Sequence, residues 1–199
     1  MGFSWWYNFL LFGFTAISCG LAIQREKRAG RFYSVYSLPI NLQQFWRAKI
    51  LCLSLFVLAA NLVLTGLMVL TSFWQAIPQV IPVAKMLPGM LGVTVSSLWQ
   101  IPFCLWLAHK SGLFLPILIN TIVGLFSSLL TPTRYWWILP YTWAGKISEP
   151  LLGIKSSGEM GTVTDYNFLV IPLIIFIALG LFSILTILTG RWFARREVK

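Results

Sequence analysis

The chain has 199 residues, of which 58% are hydrophobic and only 10% are charged, and its mean hydropathy is +0.81. Soluble domains carry about 25% charged residues, so this composition excludes an ordinary soluble protein. The net charge is +10. We therefore predict a multi-pass membrane protein, in which basic residues reflect membrane topology and not nucleic-acid binding.

Five segments without charge are each long enough to hold a membrane-spanning helix, which needs about 20 apolar residues. The predicted spans cover residues 5–23, 50–73, 90–108, 113–130 and 168–190. Because these segments are continuously apolar and do not alternate, helices are favoured over a β-barrel. The predicted fold class is an all-α polytopic membrane protein with one transmembrane domain over residues 1–199.

The first connection, residues 25–49, begins with the charged stretch REKRAGR. Apolar residues then recur at helical spacing, at Leu38, Leu42 and Phe45. Ser37 is a candidate cap, and Pro39 suits the first turn, where its missing N–H costs nothing. The pattern predicts an amphipathic helix at the membrane surface that ends where the chain turns at Lys49. A positive-inside anchor with a surface helix and no further role explains the same pattern.

The second connection is rich in proline. Pro78, Pro82 and Pro88 surround Lys85, and proline removes backbone donors and limits helix formation. We therefore predict an ordered external loop here.

The distribution of basic residues predicts the orientation. Alternating connections place 11 Lys and Arg on one side of the membrane and 4 on the other. Since the richer side is cytoplasmic by the positive-inside rule, the C-terminus is predicted to be cytoplasmic and Met1 external. The segment 131–167 is then the last external loop.

Catalytic and metal-binding patterns are missing from the sequence. The three cysteines fall within predicted spans without metal-ligand spacing, and the one histidine, His109, lies at a predicted turn. No predicted span carries an ionisable residue near its middle, as ion-coupled transporters and intramembrane hydrolases generally do. The sequence therefore predicts no enzyme, cofactor or metal site. If the protein transports a substrate, the energy is expected to come from another polypeptide.

Two stretches resemble a known family. The first connection is similar to the first cytoplasmic loop of type-2 ABC exporter permeases. The similarity lies in an apolar span, a Glu-x-x-x-Gly motif, a run to Pro, and an Ala-Lys pair that opens the next span. The matching residues here are Glu26, Gly30, Pro39, Ala48 and Lys49. The stretch YWWILPYTWAGKISEPLLGIKSSG resembles the last external loop of lantibiotic immunity ABC permeases of the MutE/MutG type. The matching residues there are Trp136, Trp137, Pro140, Tyr141, Trp143, Pro150, Gly153 and Gly158.

The resemblance implies a permease subunit in a bacterial plasma membrane. Members of the family have about six spans, whereas five are predicted here. The chain is expected to begin at the family's second span. Its partners would be ABC ATPase subunits that bind the ATP, a second related permease, and lantibiotic peptides expelled from the bilayer for self-immunity or resistance. An ABC permease for another lipid, drug or peptide, and a non-transporting scaffold or sensor subunit, remain alternatives.

The resemblance also suggests two sets of functional residues. Residues 25–38 are expected to couple the permease to the ATPase, with the contact residues Glu26, Arg28, Gly30, Arg31 and Pro39. Residues 134–153 are expected to form an external re-entrant segment that closes the exit or touches peptide. Its candidate residues are Trp136, Trp137, Pro140, Tyr141, Trp143, Pro150 and Gly153.

Overall fold

The computed structural model describes residues 6–28, 30, 41–74, 83–153 and 167–195. This part of the chain forms seven α-helices and contains no strand. A π-helical turn, Trp6–Leu10, leads directly into the first α-helix. The helices are α1 (Leu11–Arg28), α2 (Leu42–Trp74), α3 (Val83–Ser97), α4 (Gln100–Ser111), α5 (Phe114–Leu130), α6 (Thr142–Leu152) and α7 (Val170–Ala194). The predicted all-helical class is confirmed.

Two of these helices, α2 and α7, are long and apolar enough to cross a membrane, and a third candidate arises if the bent pair α3 and α4 is one span. Within the described ranges this gives two or three spans, fewer than the five predicted. The apolar helix α5 has 17 residues, and α1 ends in four charged residues. Helices thus occur at all five predicted positions. Three of the positions depart from an unbroken apolar span: α5 is short, α1 has a charged end, and the third span is divided between α3 and α4.

The predicted span 90–108 is interrupted in its middle. Helix α3 ends at Ser97, α4 begins at Gln100, and the axes of the two helices differ by 42°. Pro102 has no N–H to donate to the Leu98 carbonyl, and the Ile101 N–H takes that place at 3.1 Å. The chain therefore tightens and bends before the first turn of α4.

The predicted proline-rich external loop is wrong from Val83 onward. Helix α3 begins there and contains both Lys85 and Pro88. An interior proline loses one backbone hydrogen bond, but helices packed within membrane proteins tolerate this because their surroundings compensate. Pro78 and Pro82 lie outside the described residues.

The predicted surface helix that ends in a turn at Lys49 is wrong, because α2 continues through Lys49 without a break. The Asn41 side chain caps α2, accepting hydrogen bonds from the N–H groups of Gln43 at 3.0 Å and Gln44 at 3.3 Å. The helix then continues for 33 residues, about 50 Å at 1.5 Å per residue. That length exceeds the apolar thickness of a bilayer, about 30 Å. The predicted cap Ser37 lies outside the described residues.

Polar side chains join some of these helices. Asn61, in the middle of α2, accepts a hydrogen bond from Trp6 Nε1 at 2.8 Å and donates one to Thr94 Oγ1 of α3 at 2.9 Å. Such buried amides fix the register of apolar helices that could otherwise slide past one another.

Helix α6 packs closely on α3 because two glycines remove side chains from the contact. A Cβ atom at Gly89 would overlap the end of the Leu152 side chain, and one at Gly92 would lie 2.6 Å from Leu151 Cδ1. No neighbour lies within 4 Å of the corresponding position at Gly66, on the exposed side of α2. Larger residues at these positions would force Leu151 and Leu152 to move, so the close α3–α6 contact favours glycine.

We expect Gly89→Leu to separate α3 from α6 and to lower the free energy of unfolding by about 1 to 3 kcal/mol, the usual cost of overpacking. Gly66→Leu is the matched control and should keep or raise stability, by up to about 1 kcal/mol, because glycine is unfavourable inside a helix. Unfolding in mixed detergent micelles measures both. Equal stability of the two variants would contradict the close α3–α6 contact.

Candidate functional site

Four helix termini meet at one end of the bundle. They are the end of α1, the start of α2, the end of α4 and the end of α7, and we call this region the basic end. Lys27 Nζ donates a hydrogen bond to the His109 carbonyl at 2.8 Å, and Trp46 Nε1 donates one to Thr189 Oγ1 at 3.0 Å. These contacts bring together three segments predicted to share one side of the membrane.

The central ion pair of the basic end joins Glu26 of α1 to Lys49 of α2. The Lys49 side chain is only 9% exposed and the Glu26 side chain 22%. The ammonium group also lies 5.5 Å from the centre of the Trp46 ring. Glu26, predicted to contact a partner protein, is thus engaged within the chain and ties the end of α1 to the first turns of α2.

A buried aromatic cluster lies beneath this ion pair. Trp46 is fully buried and stacks on Phe193 of α7 with ring centres 4.6 Å apart. The His109 ring stands edge-on to Phe193 at 5.7 Å and to Trp192 at 5.4 Å. His109 therefore has a packing role at the junction of α4 with α2 and α7, and it lies in the last turn of α4 and not in the predicted connection.

The outer surface of the basic end carries exposed basic side chains. Arg25 and Arg28 are exposed at the end of α1. Gly30 follows with φ +60°, a left-handed conformation that favours glycine and suits the end of a helix. Of the other predicted coupling residues, Arg31 and Pro39 lie outside the described residues.

Charge is distributed unevenly between the two ends of the bundle. Eight of the eleven basic residues in the described ranges lie at the basic end, namely Arg25, Lys27, Arg28, Arg47, Lys49, Lys110, Arg191 and Arg195. Lys85, Arg134 and Lys146 lie elsewhere, and Lys146 pairs with Glu149 at 2.8 Å. This asymmetry is typical of proteins that obey the positive-inside rule.

The second predicted site, residues 134–153, comprises a series of turns followed by α6. Trp137 is 61% exposed, whereas Tyr141 and Trp143 are buried. Trp136 and Pro140 are half-buried, and the Trp136 carbonyl accepts a hydrogen bond from the Thr142 hydroxyl. The predicted aromatic set therefore divides into an exposed ring at the tip and buried rings that hold the segment in place.

The chain folds back along the bundle after α5. The Tyr141 hydroxyl donates a hydrogen bond to Asn120 Oδ1 at 2.9 Å, although Asn120 lies ten residues before the end of α5, about 15 Å along its axis. The Tyr141 ring also packs edge-on against Trp99 and Phe12. The segment after α5 therefore packs back against the middle of that helix, and its assignment as a re-entrant segment stays a prediction.

Helix α6 ends at Leu152, directly before Gly153. Pro150 is buried inside the last turn, and Gly153 follows with φ +74° and donates its N–H to the Glu149 carbonyl at 2.9 Å. Glycine is the usual residue for such a left-handed helix end. Both residues thus have a structural role at this helix end. Gly158 lies outside the described residues.

Two buried polar groups at the α3–α4 break were missed by the sequence analysis. The Gln100 side chain is fully buried, and neither its oxygen nor its nitrogen has a hydrogen-bond partner among the described residues. The same holds for Trp99 Nε1, whose ring packs on Tyr141. Gln100 lies one helical turn before Cys104, which accepts a hydrogen bond from Asn120 at 3.2 Å. The sequence carried no signal for them, because the helix break and the unpartnered burial appear only in the folded chain.

We expect Gln100→Leu to raise the free energy of unfolding by about 1 to 3 kcal/mol, because it removes a buried amide that lacks partners. Asn120→Leu, which removes a bonded amide of similar burial, should lower it and serves as the contrast. Thermal unfolding in detergent measures both. A destabilised Gln100→Leu variant would show that the amide makes a bond that this arrangement does not account for.

The fold and the site define an all-helical protein with helices of membrane-spanning length, one strongly basic end and a segment that folds back into the bundle. No group of three or more potential metal ligands occurs in the described ranges. Comparison of the chain with protein-family models, curated proteins and solved structures finds no match.

Proposed function

We propose that this chain is the permease subunit of an ABC exporter, driven by a separate ATPase that docks at the basic end. The observation that supports this most is the Glu26–Lys49 ion pair, which links the exposed basic terminus of α1 to the longest apolar helix. A partner that binds Arg25 and Arg28 would thereby pull on α2 directly.

The packing around the ion pair extends this link to other helices. Trp46 of α2 contacts Thr189 and Phe193 of α7, and Lys27 of α1 holds the end of α4. Close-packed side chains transmit strain to one another. Force applied at the end of α1 is therefore shared among four helices, which suits a subunit that receives mechanical work.

The apolar helices also fit transport that is powered from outside the subunit. Residues 50–74 of α2 and 170–190 of α7 contain no charged side chain. Ion-coupled transporters place ionisable groups within such segments to bind and release their coupling ion. Energy from ATP hydrolysis in a partner subunit requires no such group in this chain.

The substrate proposal rests on the resemblance of residues 135–158 to lantibiotic immunity permeases. The exposed Trp137, near Tyr135 and Ile138, presents an apolar aromatic surface that suits an amphipathic peptide held in the outer leaflet. We assign residues 134–153 as the peptide-contacting exit segment. A second related permease completes the pore in this proposal.

Docking is tested by purifying the tagged full chain from host membranes and quantifying the ATP-binding subunit that co-purifies. The double variant Arg25→Glu/Arg28→Glu should reduce the recovered ATPase at least tenfold, about 1.4 kcal/mol, because it reverses the exposed charge of α1. Lys85→Glu/Arg134→Glu makes the same change in charge at exposed sites away from the basic end and should leave recovery unchanged. Recovery that is insensitive to both would contradict docking at the basic end.

The substrate is tested separately by deleting the gene in its host. Increased sensitivity to a lantibiotic, restored by the intact gene, is expected. If the ATPase co-purifies but sensitivity to every lantibiotic tested is unchanged, the permease proposal stands and the peptide assignment is wrong. If no ATPase co-purifies at all, a scaffold or sensor subunit becomes the better explanation.

A further inference from the structure

An apolar groove of about 370 Å³ runs between α4 and α7 close to the basic end. Its walls are Phe103 and Trp106 from α4 and Leu185, Leu188, Thr189 and Trp192 from α7. The volume is at the lower end of the range for ligand sites, roughly 300 to 1,000 Å³. The groove opens to the surroundings, since the Leu188 side chain is 55% exposed.

The one hydroxyl in the groove wall is already satisfied. Thr189 Oγ1 donates a hydrogen bond to the Leu185 carbonyl at 2.7 Å and accepts one from Trp46 Nε1 at 3.0 Å. The groove therefore presents an almost entirely apolar and aromatic surface, which requires an apolar occupant. A hydrocarbon chain meets that requirement, whereas a polar ligand would lose its hydration without compensation.

Each of the two helices carries a basic residue at the end of the groove, on the helix face that lines it. Lys110 lies four residues after Trp106, and Arg195 lies three residues after Trp192, spacings that keep side chains on one helix face. Arg195 retains a right-handed helical backbone, with φ −84° and ψ −6°. The ring of Trp106 lies 6.2 Å from that of Trp192, so the two faces meet at this end.

The two cations are available to an external anion. Lys110 and Arg195 are exposed, and Lys110 Nζ lies 5.6 Å from the centre of the Trp106 ring. The acidic residues in the described ranges, Glu26 and Glu149, pair with other lysines. Tryptophan rings beside basic side chains are typical of the headgroup layer of a membrane.

We propose that this groove binds one acyl chain of an anionic phospholipid from the surrounding bilayer, with the headgroup phosphate held between Lys110 and Arg195. The apolar walls accept the chain, and the two cations select lipids that carry net negative charge. The site does not depend on the identity of any transported substrate or partner ATPase.

The test uses the purified full chain, delipidated in a non-ionic detergent, with phosphatidylglycerol and phosphatidylcholine of identical acyl chains as probes. Native mass spectrometry quantifies the lipid bound. The native chain should bind phosphatidylglycerol more tightly. Lys110→Gln/Arg195→Gln should weaken that binding roughly 25-fold, since each basic side chain near an anionic lipid contributes about fivefold.

Two further variants separate charge from shape. Lys85→Gln/Arg134→Gln removes one Lys and one Arg from exposed positions away from the groove and should keep the preference for phosphatidylglycerol. Leu188→Trp fills the groove and should weaken the binding of both lipids, with no change in fold expected at so exposed a position.

Three results would overturn the proposal. The first is equal binding of the two lipids by the native chain. The second is an equal loss in the two charge variants, which would indicate non-specific attraction. The third is a dimer that Leu188→Trp disrupts without any lipid preference, which would show that a second copy of the chain occupies the groove.

Discussion

Removing Glu26 should destabilise the protein by about 2 to 4 kcal/mol, because the largely buried Lys49 side chain would lose its carboxylate partner. The Lys49 side chain is 9% exposed and lies among Phe45 and Trp46. Glu26→Leu removes the carboxylate and is the variant to measure. The free energy of unfolding in mixed micelles measures the effect.

The double variant Glu26→Leu/Lys49→Met provides the control for this prediction. It removes both charges, so we expect it to recover most of the stability that Glu26→Leu loses, as replacement of a buried pair by apolar groups often does. A double variant that loses as much as the two single variants together would show that the two side chains act independently. The ion pair would then not be the link between α1 and α2.

Trp46→Ala should have the largest effect of any aromatic substitution considered, lowering the free energy of unfolding by about 3 to 5 kcal/mol. The ring is fully buried, stacks on Phe193, and bonds to Thr189. Its loss leaves a cavity where α2, α4 and α7 meet. Trp46→Phe keeps an aromatic ring for stacking but loses the hydrogen bond and part of the buried volume, so a smaller cost of about 1 to 3 kcal/mol is expected.

Trp137→Ala is the matched control, since that ring is 61% exposed and its backbone carbonyl, which accepts a hydrogen bond from Trp143 Nε1, is retained. A change within about 0.5 kcal/mol is expected at such a site. If the Trp46 and Trp137 substitutions had similar effects, the aromatic cluster would not hold the basic end together.

Hydropathy predicted the helical class well because the signal extends over whole segments. The uncharged residues after Ile50 and after Phe168 are long enough that α2 and α7 follow from composition alone. Helix ends were harder to predict. The amphipathic pattern before Lys49 and the apolar pattern after it are both compatible with helix, and nothing in the local sequence breaks the helix between them. The two segments therefore form one helix capped by Asn41.

Proline positions were a poor guide to where helices end. Pro88 sits inside α3 despite its missing donor, whereas Pro102 marks the break between α3 and α4. Both look alike in sequence, and what distinguishes them is tertiary packing, in particular α6 lying close to Gly89 and Gly92.

Part of each candidate site could be predicted from motifs, but the partners of its residues could not. The motifs drew attention to Glu26 and Tyr141, and the partner and peptide contacts predicted for them stay predictions. That Glu26 pairs with Lys49, and Tyr141 with Asn120, depends on contacts 23 and 21 residues apart. Gln100 escaped notice because its unpartnered burial is a property of the folded chain, with no sequence pattern of its own.

The central claim, that the basic end faces the cytoplasm where an ATPase can dock, is tested most directly by cysteine accessibility. Single cysteines are placed at the exposed positions Arg28 and Arg134 in a Cys52→Ala background, since Cys19 and Cys104 are buried. In intact cells a membrane-impermeant maleimide should label the Arg134→Cys protein, and the Arg28→Cys protein only after permeabilisation. Labelling of Arg28→Cys in intact cells, with Arg134→Cys protected, would contradict the account.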